Sequence, residues 1–173
     1  NTGSVFTTAT NYAVTLSDTS ASAANLNTIN ADTTGLVTAT NVTTISSSTF
    51  ADVNTLISNR GISGNAINID NDYNVTLSDV SISAANIKVV NNDTSGTINI
   101  SAATIITSST IADVLEIVQN TGSVFTTATN YAVTLSDATI SAANVKLINA
   151  DNGTGTIDIS AATIITSSTI ADV

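Results

Sequence analysis

The chain has 173 residues, with 3 Lys+Arg against 13 Asp+Glu, a formal net charge of −10, and no His, Cys, Met, Trp or Pro. That excludes thiolate and imidazole catalysis, disulfides and imidazole or thiolate metal sites. Three cations cannot neutralise a run of phosphates or hold an anionic lipid surface, so neither nucleic acid nor membrane is an expected partner.

Charged residues make up only 9% of the chain, where roughly 25% is usual. Hydrophobic residues make up 42%, enough to fold. No apolar run has the length of a membrane span, so membrane insertion is not expected, and no leader is seen at the start.

In chain order, the segment Asn1–Asp18 carries a first VTLS from Val14. It is followed by a signature of Ser or Thr, two residues, Asn or Asp, then an aliphatic. The first copy is Ser22-Ala-Ala-Asn25-Leu26, and the Gly that stops its apolar pattern is Gly35. Short runs rich in Val, Ile and Thr come next, at Leu36–Thr40 and Val42–Ser46. A second signature, Thr49-Phe-Ala-Asp52-Val53, ends at Gly61. VTLS returns from Val75, and the third signature, Ser83-Ala-Ala-Asn86-Ile87, ends at Gly96. Strand-like runs at Thr97–Ser101 and Thr104–Thr107 lead to Thr110-Ile-Ala-Asp113-Val114 and Gly122. Val124–Thr127 and Ala132–Ser136 precede Ser141-Ala-Ala-Asn144-Val145 and Gly155, and the last signature starts at Thr169.

Each signature predicts a helix start. The Ser or Thr accepts a bond from a free backbone N–H of the first turn, worth about 1 kcal/mol. Asn or Asp at the third helical position is a short-armed capping box that suits the positive end of the dipole. Behind the caps, apolar residues fall at helical spacing, as in Phe50, Val53, Leu56 and Ile57, or Ile111, Val114, Ile117 and Val118. The glycines read as left-handed helix stops. Helices this short do not hold alone in water, so they must lie on β-structure.

Longer repeats frame these elements. Asn1–Asp18 recurs letter for letter as Asn120–Asp137, and Ser101–Val114 as Ser160–Val173. The expected architecture is a repeat solenoid of about six coils of about 30 residues, each with one short helix on a β-rich wall of equivalent strands in register. A pure β-solenoid is the alternative. Residues 1–173 read as one continuous segment of units 1–59, 60–119 and 120–173, a window of a longer array, since neither end carries a polar cap.

Few residues invite chemistry. Asp70, Asp72 and Asp151 lie in acidic turns and are the candidate Ca²⁺ ligands; Asx turns are the plainer reading, so no cofactor is expected beyond that ion. Asp18, Asp79 and Asp137 recur in LSD, as turn residues or as a carboxylate column. Thr43, Thr104 and Thr163 recur on alternate coils, and β-propensity outweighs an ice-binding array there. No carboxylate pair stands apart from the repeat, so no enzyme is expected.

The order VTLSD, ISAAN, INADTTG and ADV resembles the repeat arrays of very long secreted surface proteins of cyanobacteria and other bacteria. The resemblance implies a structural role outside the cell or on its surface, as spacer, fibre or surface-layer component, with export by a one-step route. Asn25, Asn86 and Asn144 stand where those repeats often carry Asp, which weakens the case for calcium. The expected partners are copies of the same chain, end to end or side by side, or neighbouring repeats. An adhesin segment using acidic loops for Ca²⁺ and a Ser/Thr/Asn face for glycan or ice is the alternative.

Overall fold

The structure is a computed structural model describing residues 9–61, 66–166 and 169. The first unit runs β1 (Val14–Thr15), β2 (Ser20–Ser22), α1 (Ala23–Asp32), β3 (Val37–Thr38), β4 (Thr44–Ser48), α2 (Phe50–Ser58) and β5 (Ile67–Asn68). The second runs β6 (Asn74–Leu77), β7 (Ser81–Ser83), α3 (Ala84–Asp93), β8 (Thr97–Ile100), β9 (Ile105–Ser109), α4 (Ile111–Val118) and β10 (Val124–Thr127). The third holds β11 (Ala132–Leu135), β12 (Thr139–Ser141), α5 (Ala142–Asp151), β13 (Ile157–Asp158) and β14 (Ile164–Thr166). The helix expected after Thr169 lies outside the described residues.

The expectation of a solenoid with one β-rich wall is corrected, and so is the pure β alternative. The described chain is a mixed α/β structure with five helices and four separate sheets, ordered β1-β3-β5, β10-β8-β6-β4-β2, β13-β11-β9-β7 and β12-β14. All the pairings are parallel, the mode that requires a crossover between partners, here supplied by helices. Equivalent strands do not stack into one wall. The VTL strands β1, β6 and β11 fall in three different sheets.

The reason lies in the connections. Two strands separate α1 from α2 and α3 from α4, whereas three separate α2 from α3 and α4 from α5. The extra strand displaces the next layer sideways by one position. β6 therefore pairs with β4 on one side and β8 on the other. The complete sheet takes β2 and β4 from one unit and β6, β8 and β10 from the next.

Strand alternation supplies the apolar interior. Val37, Ile45, Ile67, Val75, Leu77, Ile98, Ile100, Ile106, Val133 and Leu135 are all buried, while their sequence neighbours point outward. The helices add Leu26, Val53, Leu56, Ile87, Val90, Val114, Ile117 and Ile148. Each such side chain, fully buried, contributes about 1.5–3 kcal/mol. The helices lie in sequence order, α1 on α2, α2 on α3, α3 on α4 and α4 on α5.

Alternate helices end in a shared corner. The Tyr73 hydroxyl donates to Asp93 Oδ2 at 2.7 Å and that of Tyr131 to Asp151 Oδ2 at 2.6 Å; Tyr12 and Asp32 make the same bond. Thr94 Oγ1 then donates to the Tyr73 carbonyl at 2.6 Å and accepts from Gly96 N–H at 3.0 Å. The glycine readings divide here. Gly61 and Gly122 take left-handed backbone, with φ of +70° and +90°. Gly35, Gly96 and Gly155 do not, and their reading as left-handed stops is corrected. A Cβ would stand 2.3 Å from the Tyr12 carbonyl oxygen at Gly35, 2.3 Å from that of Tyr73 at Gly96, and 2.0 Å from that of Tyr131 at Gly155. They are glycine because two backbones touch.

Gly96→Ala must push backbone against backbone and is expected to destabilise by about 3 kcal/mol. Gly61→Ala, with nothing within 4 Å of its Cβ, is left only with the left-handed penalty of about 1 kcal/mol. Urea midpoints of the two variants check the order.

Candidate functional site

The predicted caps are distributed along one line of helix starts. Ser22, Thr49, Ser83 and Thr110 each accept from the N–H three residues on, at 3.2 Å in every case. The Thr49 and Thr110 hydroxyls also donate to Asp52 Oδ2 and Asp113 Oδ2 at 2.8 Å, a side-chain variant of the expected capping box. Ser141 makes no such side-chain bond to α5. Thr169 is exposed, with its helix outside the described residues.

A second acceptor stands at the starts of α1, α2, α3 and α4, and it comes from the layer that follows. Ala23 N–H, the first of α1, donates to Ser48 Oγ at 2.9 Å. The first N–H of α2, on Phe50, donates to Asp79 Oδ2 at 2.7 Å. Ala84 N–H donates to Ser109 Oγ at 2.8 Å, and Ile111 N–H to Asp137 Oδ2 at 2.7 Å. Each of these four helices thus has two of its orphan donors met, one by its own cap and one by a neighbour 25 to 29 residues away. Asp79 and Asp137, read as turn residues or a carboxylate column, are helix caps across layers. For α5 the corresponding serine, Ser168, lies outside the described residues.

Irregular strand backbone makes this reach available. The pairing of β4 with β6 and of β9 with β11 shifts register just before Ser48 and Ser109, and Ser108 carries φ of +27°. Such a bulge turns a side chain that would alternate outward toward the interior. Both serines are buried, and each donates its own hydroxyl proton to a strand carbonyl two residues back, so no polar group is stranded.

Two cations brace neighbouring helices. Lys88 Nζ lies 2.9 Å from Asp113 Oδ1 and 2.6 Å from Glu116 Oε1. The hydrogen bonds to Glu116 and Asp113 push the Lys88 ammonium up to about 12, and Lys88, with Thr110, holds the Asp113 carboxyl below its ordinary range. Arg60 pairs with Asp93 and Asn71, donates to the Ile69 carbonyl at 2.9 Å, and stands 5.9 Å from the centre of the Tyr73 ring. It borders a cleft of about 760 Å³ whose walls include Asn68, Asn71, Asn91 and Ser95. The guanidinium is spent on internal partners and does not face the cleft as a spare charge.

The remaining candidates do not converge. Asp70 and Asp72 are exposed, and Asp151 accepts from Tyr131. Among the described residues no three Asp or Glu side chains come together in a metal-binding group. Thr43, Thr104 and Thr163 direct their hydroxyls to the carbonyls of Thr19, Val80 and Ala138, tying layers together. Missed entirely were Ser48 and Ser109, although each stands immediately before a Thr cap, a recurring Ser-Thr step that was the available signal.

No family model, curated protein or solved structure matches the chain.

Two measurements follow from this geometry. Ser109→Ala leaves the Ala84 N–H without its acceptor in a buried place, and a loss of about 1–3 kcal/mol in urea unfolding is expected; Ser95→Ala, on the surface, should cost much less. Burial above all, and then the bond to Asp93 or Asp151, raises the Tyr73 and Tyr131 phenols. A raised value means stability that is complete below the ordinary tyrosine pKa of about 10 and is lost as pH climbs above it. In an alkaline titration the tyrosinate absorbance of these two residues should therefore rise only together with loss of the far-ultraviolet circular dichroism.

Proposed function

We propose that the chain is a structural protein of the cell surface or extracellular space: a rigid spacer, fibre or surface-layer component whose contribution is length and stiffness. One observation carries the reading. In four of the five described helices, α1 to α4, the first N–H is held by a side chain of the following layer, so the units brace one another in series and present Ser, Thr and Asn outward. The resemblance to repeat arrays of long secreted bacterial surface proteins supports the same setting. Among the described residues no helix is long and apolar enough to cross a membrane.

The adhesin alternative draws less support. Its acidic candidates Asp70 and Asp72 stand apart in solvent, and Asp151 is engaged by a tyrosine. On the scaffold reading, millimolar calcium leaves the melting curve unchanged. Negative-stain electron microscopy should show extended rods or filaments, and compact isolated particles would count against the proposal.

A further inference from the structure

We propose that Asn152–Gly153 is a self-modification site. The Asn152 side-chain amide is lost by deamidation through attack of the Gly153 nitrogen, at a rate set by opening of the corner after α5, and the carboxylate left behind cannot rebuild that corner. This chemistry is independent of the scaffold reading.

The first argument is a departure from the repeat. The corners after α1 and α3 run Thr33-Thr34-Gly35 and Thr94-Ser95-Gly96, whereas the corner after α5 runs Asn152-Gly153-Thr154-Gly155, one residue longer. It contains the one Asn-Gly step of the chain. The hydroxyls of Thr33 and Thr94 each donate to a tyrosine carbonyl and accept from a glycine N–H, so the oxygen is used both ways. Asn152, 0% exposed, works differently. Its Nδ2 donates to the Tyr131 carbonyl at 3.3 Å and to the Gly155 carbonyl at 2.9 Å. Its Oδ1 is buried and has no donor among the described residues. The side chain therefore holds the corner through its NH₂ group alone.

The reaction needs only this dipeptide and water. The Gly153 nitrogen loses its proton to solvent base and attacks Asn152 Cγ. The Cγ–Nδ2 bond breaks, Nδ2 takes up a proton and leaves as ammonia, and a five-membered succinimide closes. Water then opens either C–N bond of the ring, giving aspartate or, with the backbone rerouted through the side chain, isoaspartate. Gly153 has no Cβ to crowd the ring, and it is exposed, so base and water reach it.

The fold holds this reaction back. Ring closure requires rotation about the Asn152 Cα–C bond away from its ψ of 4° and release of both Nδ2 bonds. Gly153 is itself wedged. Its backbone is left-handed, with φ of +63°, and a Cβ there would stand 2.2 Å from the Thr129 carbonyl oxygen. Asn130 Oδ1 pins the turn further, accepting from Thr154 N–H at 3.1 Å and from Thr154 Oγ1 at 2.9 Å. Only a local opening of the corner frees the geometry. Afterwards the way back is shut. The product carries an oxygen where Nδ2 stood, so two carbonyls lose their donor and a carboxylate faces them in a buried place. Thr33 and Thr94 have no amide to lose, and their corners are exempt.

Mass spectrometry of the tryptic peptide that begins at Leu147 tests this in the intact folded chain, held in mildly alkaline buffer. The same peptide carries Asn149, exposed but followed by Ala, as an internal control. Loss of ammonia and then aspartate and isoaspartate are expected at Asn152, with Asn149 unchanged. The rate should be roughly tenfold or more below that of the same chain in denaturing urea. Equal rates would overturn the gating, and no product from the folded chain while the urea sample converts fully would overturn the site. Asn152→Asp, which mimics one product, should lower the melting temperature, and Asn149→Asp should lower it much less. An unaltered melting temperature in Asn152→Asp would overturn the structural consequence. Should that variant fail to fold, aged wild-type protein gives the same reading on a urea-gradient gel. Molecules that unfold first should be enriched in product, and an even distribution would count against the proposal.

Discussion

The structure depends on the free backbone donors at the helix starts. Helices of 8 to 10 residues are too short to persist on propensity alone, and their first N–H groups have no partner within the helix. In α1 to α4 one donor is met from within by the Ser or Thr cap. The other is met by Ser48, Asp79, Ser109 or Asp137, all from the layer that follows. A helix is therefore finished only when the next layer has formed. Order laid down in one unit lowers the cost of ordering its neighbour, which is how a chain with three cations, no disulfide and few aromatics holds a defined structure.

The bulges and the corner glycines serve the same end. A strand that alternated regularly through Ser109 would turn the hydroxyl away from Ala84; the shifted register brings it to the helix. At Gly35, Gly96 and Gly155 the turn after a helix lies directly on the backbone of a tyrosine from the layer before. That closeness lets Thr94 bond both Tyr73 and Gly96, and it fixes the spacing between layers more tightly than side-chain packing would. The cations add a further tie. Lys88 ties α3 to α4 where it is exposed and solvent screens much of the attraction, while the Arg60–Asp93 pair is largely buried.

The local signals in the sequence were legible because they are carried by neighbours in the chain. Ser22, Thr49, Ser83 and Thr110 mark helix starts, and the stripes at Val53 and Leu56 or Val114 and Ile117 face the interior. What periodicity could not carry was which strand lies beside which. A repeat of about 60 residues suggests that equal segments stack, yet the third strand between α2 and α3 moves every following strand over by one. The cross-layer caps were hidden for the same reason. Asp79 looks like a turn residue beside its own strand and declares its partner, Phe50, only once the offset is known. Gly96 likewise reads as a helix stop until the Tyr73 carbonyl is placed against it.

The sideways step has a consequence for growth. If equal strands faced one another through every unit, each added unit would widen the same flat ribbon, the geometry on which amyloid thrives. Here no sheet among the described residues exceeds five strands, and a separate sheet begins in each unit. A repeat that starts a fresh sheet in each unit adds length without widening the sheet before it.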